Sequence, residues 1–136
     1  MSGDTTIGNA LQFTNDNKHA YAYSGSKLNS SGVGDADQQL LLFNTNSEYL
    51  KAKFQFTTTQ SSGHDYYADI FFNDIDIVQI KEDSTDVEGF PIMIRLIIPP
   101  FTVVKVMVGQ NSAGYYNQCN MVAKVGMPQR VGNLDE

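Results

Sequence analysis

Cysteine occurs once in these 136 residues, at Cys119, and tryptophan does not occur at all. A single thiol excludes an intramolecular disulfide and any zinc cluster built on cysteines. Cys119 alternates with Met121 and Ala123 in a strand-like run, which reads as a buried, inert thiol. Cations are scarce as well: 9 Lys and Arg stand against 15 Asp and Glu, for a net charge of −6. They are scattered singly along the chain, with no basic cluster. That balance argues against a phosphate-backbone binder, so no nucleic-acid partner is expected. No apolar run nears the ~20 residues of a membrane-spanning helix, so no membrane partner is expected either. The opening Met-Ser-Gly-Asp-Thr-Thr lacks the basic and apolar regions of a secretory signal, and secretion by the usual route is not expected.

What the chain does contain is aromatic and β-branched. It holds 7 Tyr and 8 Phe, and no stretch shows a convincing helical period. The most apolar segment runs from Pro91 to Val108: two aliphatic runs, 92–98 and 103–108, flank Pro99 and Pro100. The prolines remove two donors and force extended residues before them, so the segment reads as strand, Pro-Pro corner, strand. Ile92, Ile94, Leu96 and Ile98 share one face of the first arm, and Met93, Arg95 and Ile97 share the other. This pair of arms is expected to form the middle of the core.

Elsewhere the pattern alternates between short two-period runs and turn clusters. Leu11–Phe13, His19–Ser24, Gln38–Phe43, Tyr49–Thr57, Tyr66–Phe72, Ile75–Lys81 and Tyr115–Gly126 read as strands. In the run at 49–57, Leu50, Ala52, Phe54 and Phe56 fall on one side, with Tyr49, Lys51, Lys53 and Gln55 on the other. Asn73-Asp74 reads as a tight hairpin. Residues 25–37, rich in Ser, Gly, Asn and Asp, read as a surface loop, and 82–89 as an acidic solvated loop. About eight strands at turn spacings of roughly 8–12 residues predict an all-β, two-sheet antiparallel sandwich, jelly-roll or otherwise in its connectivity. The domain is expected over 11–126, with a flexible N-terminal arm at 1–10 and a tail at 127–136.

Candidates for chemistry are few. His19 and His64 are the two groups suited to act as a neutral-pH base or nitrogen ligand. A Ser-His-Asp grouping of Ser61 or Ser62 with His64 and Asp65 lacks any elbow motif, so His64 reads as an exposed loop histidine. Asp35 with Asp37, Asp74 with Asp76, and the run Glu82, Asp83, Asp86 and Glu88 bring carboxylates together on loops. None follows a calcium-loop pattern, and solvated turn acids are the default. Asn29-Ser-Ser31 matches a glycosylation acceptor, read as coincidence without a secretory signal. No phosphate loop, metal-spaced histidine pair or dinucleotide fingerprint occurs, so no enzyme, cofactor or metal is expected. Contacts with partners are expected from Tyr21, Tyr23, Tyr66, Tyr67, Tyr115 and Tyr116, because tyrosine joins apolar area to a polar tip.

Four segments carry a resemblance: residues 11–25, residues 42–50, Ile70-Phe-Phe-Asn73 and Ile97-Ile-Pro-Pro-Phe-Thr102. Together they resemble small β-sandwich virion structural proteins of tailed, especially aquatic, phages, of the capsid decoration (cement) or minor structural type. The resemblance implies a non-enzymatic protein located in the virion, present in many copies as a homo-oligomer, a trimer. It implies the major capsid protein or another virion protein as partner, and it brings no catalytic residues. The alternative is a carbohydrate- or receptor-binding sandwich module of a virion or surface protein.

Overall fold

The computed structural model describes residues 11–16, 18–60, 64–82 and 91–126. The arm expected at 1–10, the tail at 127–136, most of the acidic loop at 82–89, and Ser61 and Ser62 lie outside the described residues. Those described form ten strands and no helix: β1 (Gln12–Phe13), β2 (His19–Tyr23), β3 (Lys27–Asn29), β4 (Gln38–Asn44), β5 (Leu50–Thr58), β6 (Tyr66–Phe72), β7 (Ile75–Glu82), β8 (Ile92–Ile98), β9 (Val103–Gln110) and β10 (Tyr115–Val125). They make two antiparallel sheets, as the alternating runs predict. One is ordered β1-β2-β10-β5-β8, with β3 also paired to β10, and the other β4-β9-β6-β7.

The two-residue period of a strand decides which side chains meet between the sheets. From the six-stranded sheet come Phe54 and Phe56 of β5, with Cys119 and Met121 of β10 opposite them in register. From the four-stranded sheet come Leu40 and Leu41, Tyr66 and Ile70, and Val104, Val106 and Val108. All are buried. Each such side chain is worth about 1.5–3 kcal/mol of apolar burial. Both phenylalanines face inward because they are two residues apart.

Two expectations are corrected. The arms around Pro99 and Pro100 do not both lie in the middle of the core. Among the described residues β8 is the outer strand of the six-stranded sheet, paired only with β5. Its Ile92, Ile94 and Leu96 are half-buried, and Met93, Arg95 and Ile97 are exposed. β9 does lie inside the other sheet, between β4 and β6. The Pro-Pro link therefore carries the chain from one sheet to the other, and local apolarity says nothing about which sheet an arm joins. The second correction is β3. It lies within the expected loop at 25–37, where three residues pair with the start of β10 (Tyr115 opposite Asn29, Asn117 opposite Lys27).

The turns have local causes. Asn73 and Asp74 sit at φ 52° and 67°, the two left-handed positions of a type I′ hairpin, which Asn and Asp tolerate. Asn73 also ties this hairpin to β9: its N–H donates to the Val103 carbonyl (2.8 Å), and its Oδ1 accepts the Val103 N–H (2.8 Å). Loop 30–37 presses on the end of β9 at Gly109, where a Cβ would fall on the Asp35 carbonyl.

Both ends of the sandwich are closed by polar groups. At one, the buried Thr45 clamps the Pro-Pro turn. Its hydroxyl donates to the Pro99 carbonyl (2.8 Å) and accepts the Thr102 N–H (2.9 Å), while its N–H donates to the Thr102 carbonyl (2.9 Å). At the other, side-chain amides interlock. Asn29 Nδ2 donates to Gln110 Oε1 (2.8 Å), Gln110 Nε2 to Asn117 Oδ1 (2.6 Å), and Asn117 Nδ2 to Gln38 Oε1 (2.8 Å). These bonds tie β3, β4, β9 and β10 together across both sheets. Buried amides are tolerated here because their groups find partners.

Thr45→Val keeps the shape of the side chain but removes its hydroxyl, leaving the buried Thr102 N–H without that acceptor. The expected loss is about 1–3 kcal/mol, read as a lower urea midpoint with an unchanged slope.

Candidate binding surface

The outer face of the six-stranded sheet is set by the same alternation that fills the core. Where Ala20, Ala22, Ala52, Phe54, Met121 and Ala123 point in, His19, Tyr21, Tyr23, Lys51, Lys53, Val122 and Lys124 point out. Pairing register arranges them in rows. Tyr21, Val122, Lys53 and Arg95 stand opposite one another across β2, β10, β5 and β8. His19, Lys124, Lys51 and Ile97 form the next row, and Tyr23, Asn120, Gln55 and Met93 the row on the other side.

The first two rows line a shallow depression of about 710 Å³. Lys51, Lys53, Arg95 and Lys124 border it, four of the chain's nine cations, and no carboxylate among the described residues does. None of the four forms an ion pair with a described residue; the ion pair among those residues is Lys105 with Asp74, 3.7 Å apart on the other sheet. Cations that stand singly in the sequence thus meet on one face of an acidic protein. The strand pattern places Lys51 with Lys53, and Arg95 with Ile97. Adding Lys124 to them requires the register of β10 on β5, which no local signal carries.

The six tyrosines divide. Tyr21 and Tyr23 are exposed beside the depression, their rings nearly parallel (13°) with centroids 6.2 Å apart. Tyr116 is exposed on the same sheet, opposite Leu28 of β3. Tyr115 is half-buried and its ring meets that of His64 at 5.7 Å. Tyr67 is half-buried on the other sheet, with Lys81 Nζ 5.8 Å from its ring centre and its hydroxyl donating to Asp65 (3.3 Å). Tyr66 is fully buried, which corrects its place among the contact residues: neighbours on a strand face opposite ways, so Tyr66 and Tyr67 cannot both point outward. Burial, and then the nearby Cys119, hold its hydroxyl pKa well above the ordinary tyrosine value. Burial also pushes the Cys119 thiol up, so it stays protonated and unreactive at neutral pH.

The histidines are apart in the fold: His19 opens β2 on the rim of the depression, and His64 lies in the turn before β6. Gln60 Nε2 donates to the His64 carbonyl (2.5 Å), a turn contact that leaves the ring to Tyr115. Among the described residues no group of three or more His, Cys, Asp or Glu is placed to hold a metal ion.

The opposite outer face carries both signs, with Lys81 and Lys105 beside Asp69 and Asp76. Asp69 of β6 lies near Asp76 of β7, which also accepts a hydrogen bond from Gln79 Nε2 (3.1 Å). Partial burial first, then the charge of Asp76 and a hydrogen bond with it, and then Asp35, raise the Asp69 carboxyl to about 6.

No family model matches the chain, and no curated protein does. Among solved structures it is similar to the Podospora anserina GH26-CBM35 β-(1,4)-mannanase, with a TM-score of 0.46 and 8% identity, covering 84% of this chain and 29% of that one. It is also similar to a β-glucosidase from Paenibacillus barengoltzii, with a TM-score of 0.41 and 8% identity, covering 89% and 12%. The chain spans less than a third of the length of either.

The pKa of Asp69 makes stability depend on pH. The folded state holds this proton to about pH 6, whereas an unfolded Asp releases it near 3.9. Its contribution is therefore complete below about pH 4 and is lost as pH rises through 6. Asp69→Asn should raise the melting temperature at pH 7.5 and leave it nearly unchanged at pH 4, measured by thermal denaturation.

Proposed function

We propose that the protein is a non-enzymatic structural protein of a phage virion, a shell decoration or cement protein that binds the major capsid protein as a homo-oligomer. The observation that supports this reading is the apolar surface at the margins of the sandwich. β8 and β7 each pair on one side only among the described residues. Met93, Ile97, Ile75 and Ile77 on these strands are all exposed, Ile97 by 62%. Phe101, at the tip of the Pro-Pro turn, is 74% exposed. Long apolar strands with a free edge invite pairing or cover by another chain, and a monomer is usually guarded there by charge or proline. On β8 the guard is one residue, Arg95.

Phe101 adds a second cue. It occupies the left-handed region at φ 55°, a conformation that costs a bulky residue about 1–2 kcal/mol. A glycine there would be free of that cost but would offer no ring to a partner. The Thr45 clamp and the Phe101 N–H donating to the Asn46 carbonyl (2.9 Å) hold the ring outward. Exposed aromatic anchors of this kind dominate interface energetics when they enter a partner's cavity.

Decoration of a shell works by mass action: each copy bound to the assembled lattice and not to free subunits stabilises the lattice. The expected result is an oligomer in sedimentation velocity that co-pellets with shells of the major capsid protein and raises their disruption temperature. Phe101→Ser with Ile97→Ser should weaken that binding about tenfold or more. A chain that stays monomeric and never pellets with shells overturns the reading.

A further inference from the structure

The depression on the six-stranded sheet asks for a ligand of its own, since charges of one sign gathered on an oppositely charged protein cost self-repulsion unless something uses them. We propose that it binds a linear anionic polysaccharide, with Lys51, Lys53, Arg95 and Lys124 facing the acid groups and Tyr21 and Val122 carrying the sugar rings. The inference rests on the composition of the depression and not on the shell reading.

Three observations select this class. First, the strands beneath the heart of the depression are interior. β2, β10 and β5 are each paired on both sides, so their backbone groups are committed to the sheet. An extended peptide is usually captured through a free strand edge; over these three strands recognition runs through side chains alone, the free edge being that of β8 at one margin. Second, the charges are sparse and regular. Lys51 and Lys53 are two residues apart on one strand, about 7 Å, and Arg95 lies opposite Lys53, and Lys124 opposite Lys51, roughly 5 Å away on the neighbouring strands. Charges so spaced leave uncharged surface between them, as a polymer with one acid per ring requires, and the oligothymidylate in the test below tells such a polymer from a phosphodiester strand. Third, the row from Tyr21 to Arg95 crosses four strands, about 14 Å. It runs from an aromatic end, where Tyr21 is stacked on Tyr23, to a guanidinium whose planar fork fits a carboxylate or sulfate. Apolar ring faces and charged substituents thus find separate partners along one line.

The test uses the full chain in isothermal titration and affinity electrophoresis, with polygalacturonate and dextran sulfate as carboxylated and sulfated probes. Neutral galactomannan, poly-L-glutamate and an oligothymidylate are the competitors. Binding to either anionic glycan at 50 mM salt, weakened about tenfold at 500 mM, supports the proposal, and the stronger of the two identifies the acid group. Arg95→Glu with Lys124→Glu should abolish it, while Lys81→Glu on the opposite sheet should leave it unchanged. Tyr21→Ala should weaken glycan binding several-fold. Should the charge reversal lower the urea midpoint, Arg95→Gln with Lys124→Gln replaces it, with at least a tenfold loss expected. Tighter binding of poly-L-glutamate overturns the proposal in favour of an acidic protein surface, and tighter binding of the oligothymidylate in favour of single-stranded nucleic acid. Equal binding of neutral galactomannan, or no binding of any glycan, overturns it outright. Co-pelleting with shells is read separately, so either reading can fail without the other.

Discussion

A strand that buries one face must turn the other outward, and nearly everything about this protein follows from that constraint acting on two stacked sheets. Phe54, Phe56, Met121 and Cys119 meet Leu40, Tyr66, Ile70 and the valines of β9 in the gap between them. Close packing of these side chains fixes the registers, because a slip of one residue would exchange every buried group with an exposed one. Had β10 slipped by one against β5, Val122 and Lys124 would replace Met121 and Ala123 inside. Lys124 could not be accommodated there without losing its charge or its water. The cations outside are held in line by the hydrophobic groups behind them.

The two outer faces differ in charge while sharing this core, one gathering four cations and the other carrying both signs. The six-stranded sheet shows Lys51, Lys53, Arg95 and Lys124; the four-stranded sheet shows Asp69 and Asp76, close enough to raise one carboxyl to about 6. Lys105 moderates that second face. Its ammonium lies 3.7 Å from Asp74 and 4.9 Å from the centre of the Phe71 ring. A net charge of −6 therefore describes no part of the surface well. Charge read as a sum argues against anionic partners; charge read by face leaves one side of the molecule open to them.

Much of the fold was legible in the order of residues, since strand faces and tight turns are local properties. The alternation of Leu50 to Phe56, the Asn73-Asp74 hairpin and the break at Pro99-Pro100 could each be placed from a few neighbours. Pairing is not local. Nothing within Ile92–Ile98 or Val103–Gln110 tells that the first joins an outer edge and the second an interior position in the other sheet. β3 escaped for a related reason: three residues among serines and glycines have no period of their own, and form a strand because β10 supplies the partner. The candidate binding face combined both limits. Lys51 and Lys53 could be paired from one strand, but Arg95 and Lys124 reach them from 42 and 71 residues further along, counted from Lys53, through two registers. Tyr66 was misplaced although the rule that buries it was available, because its neighbour Tyr67 satisfies the same composition and the parity of the strand decides between them.

The Pro-Pro crossing joins these themes. A chain leaving one sheet for the other must turn sharply where neither sheet can accept its backbone groups. Prolines reduce the number of donors left over, and Thr45 takes up a carbonyl and an N–H that remain. The turn so fixed places Phe101 outward in a left-handed conformation. Flexible loops seldom keep such a residue, because they relax toward a cheaper backbone; a clamped one can hold it at constant orientation. The clamp that closes the core is thus the same device that presents the most exposed aromatic ring among the described residues. If Phe101 anchors a partner as proposed, stability and adhesion at this end rest on one structural feature, and a change at Thr45 acts on both.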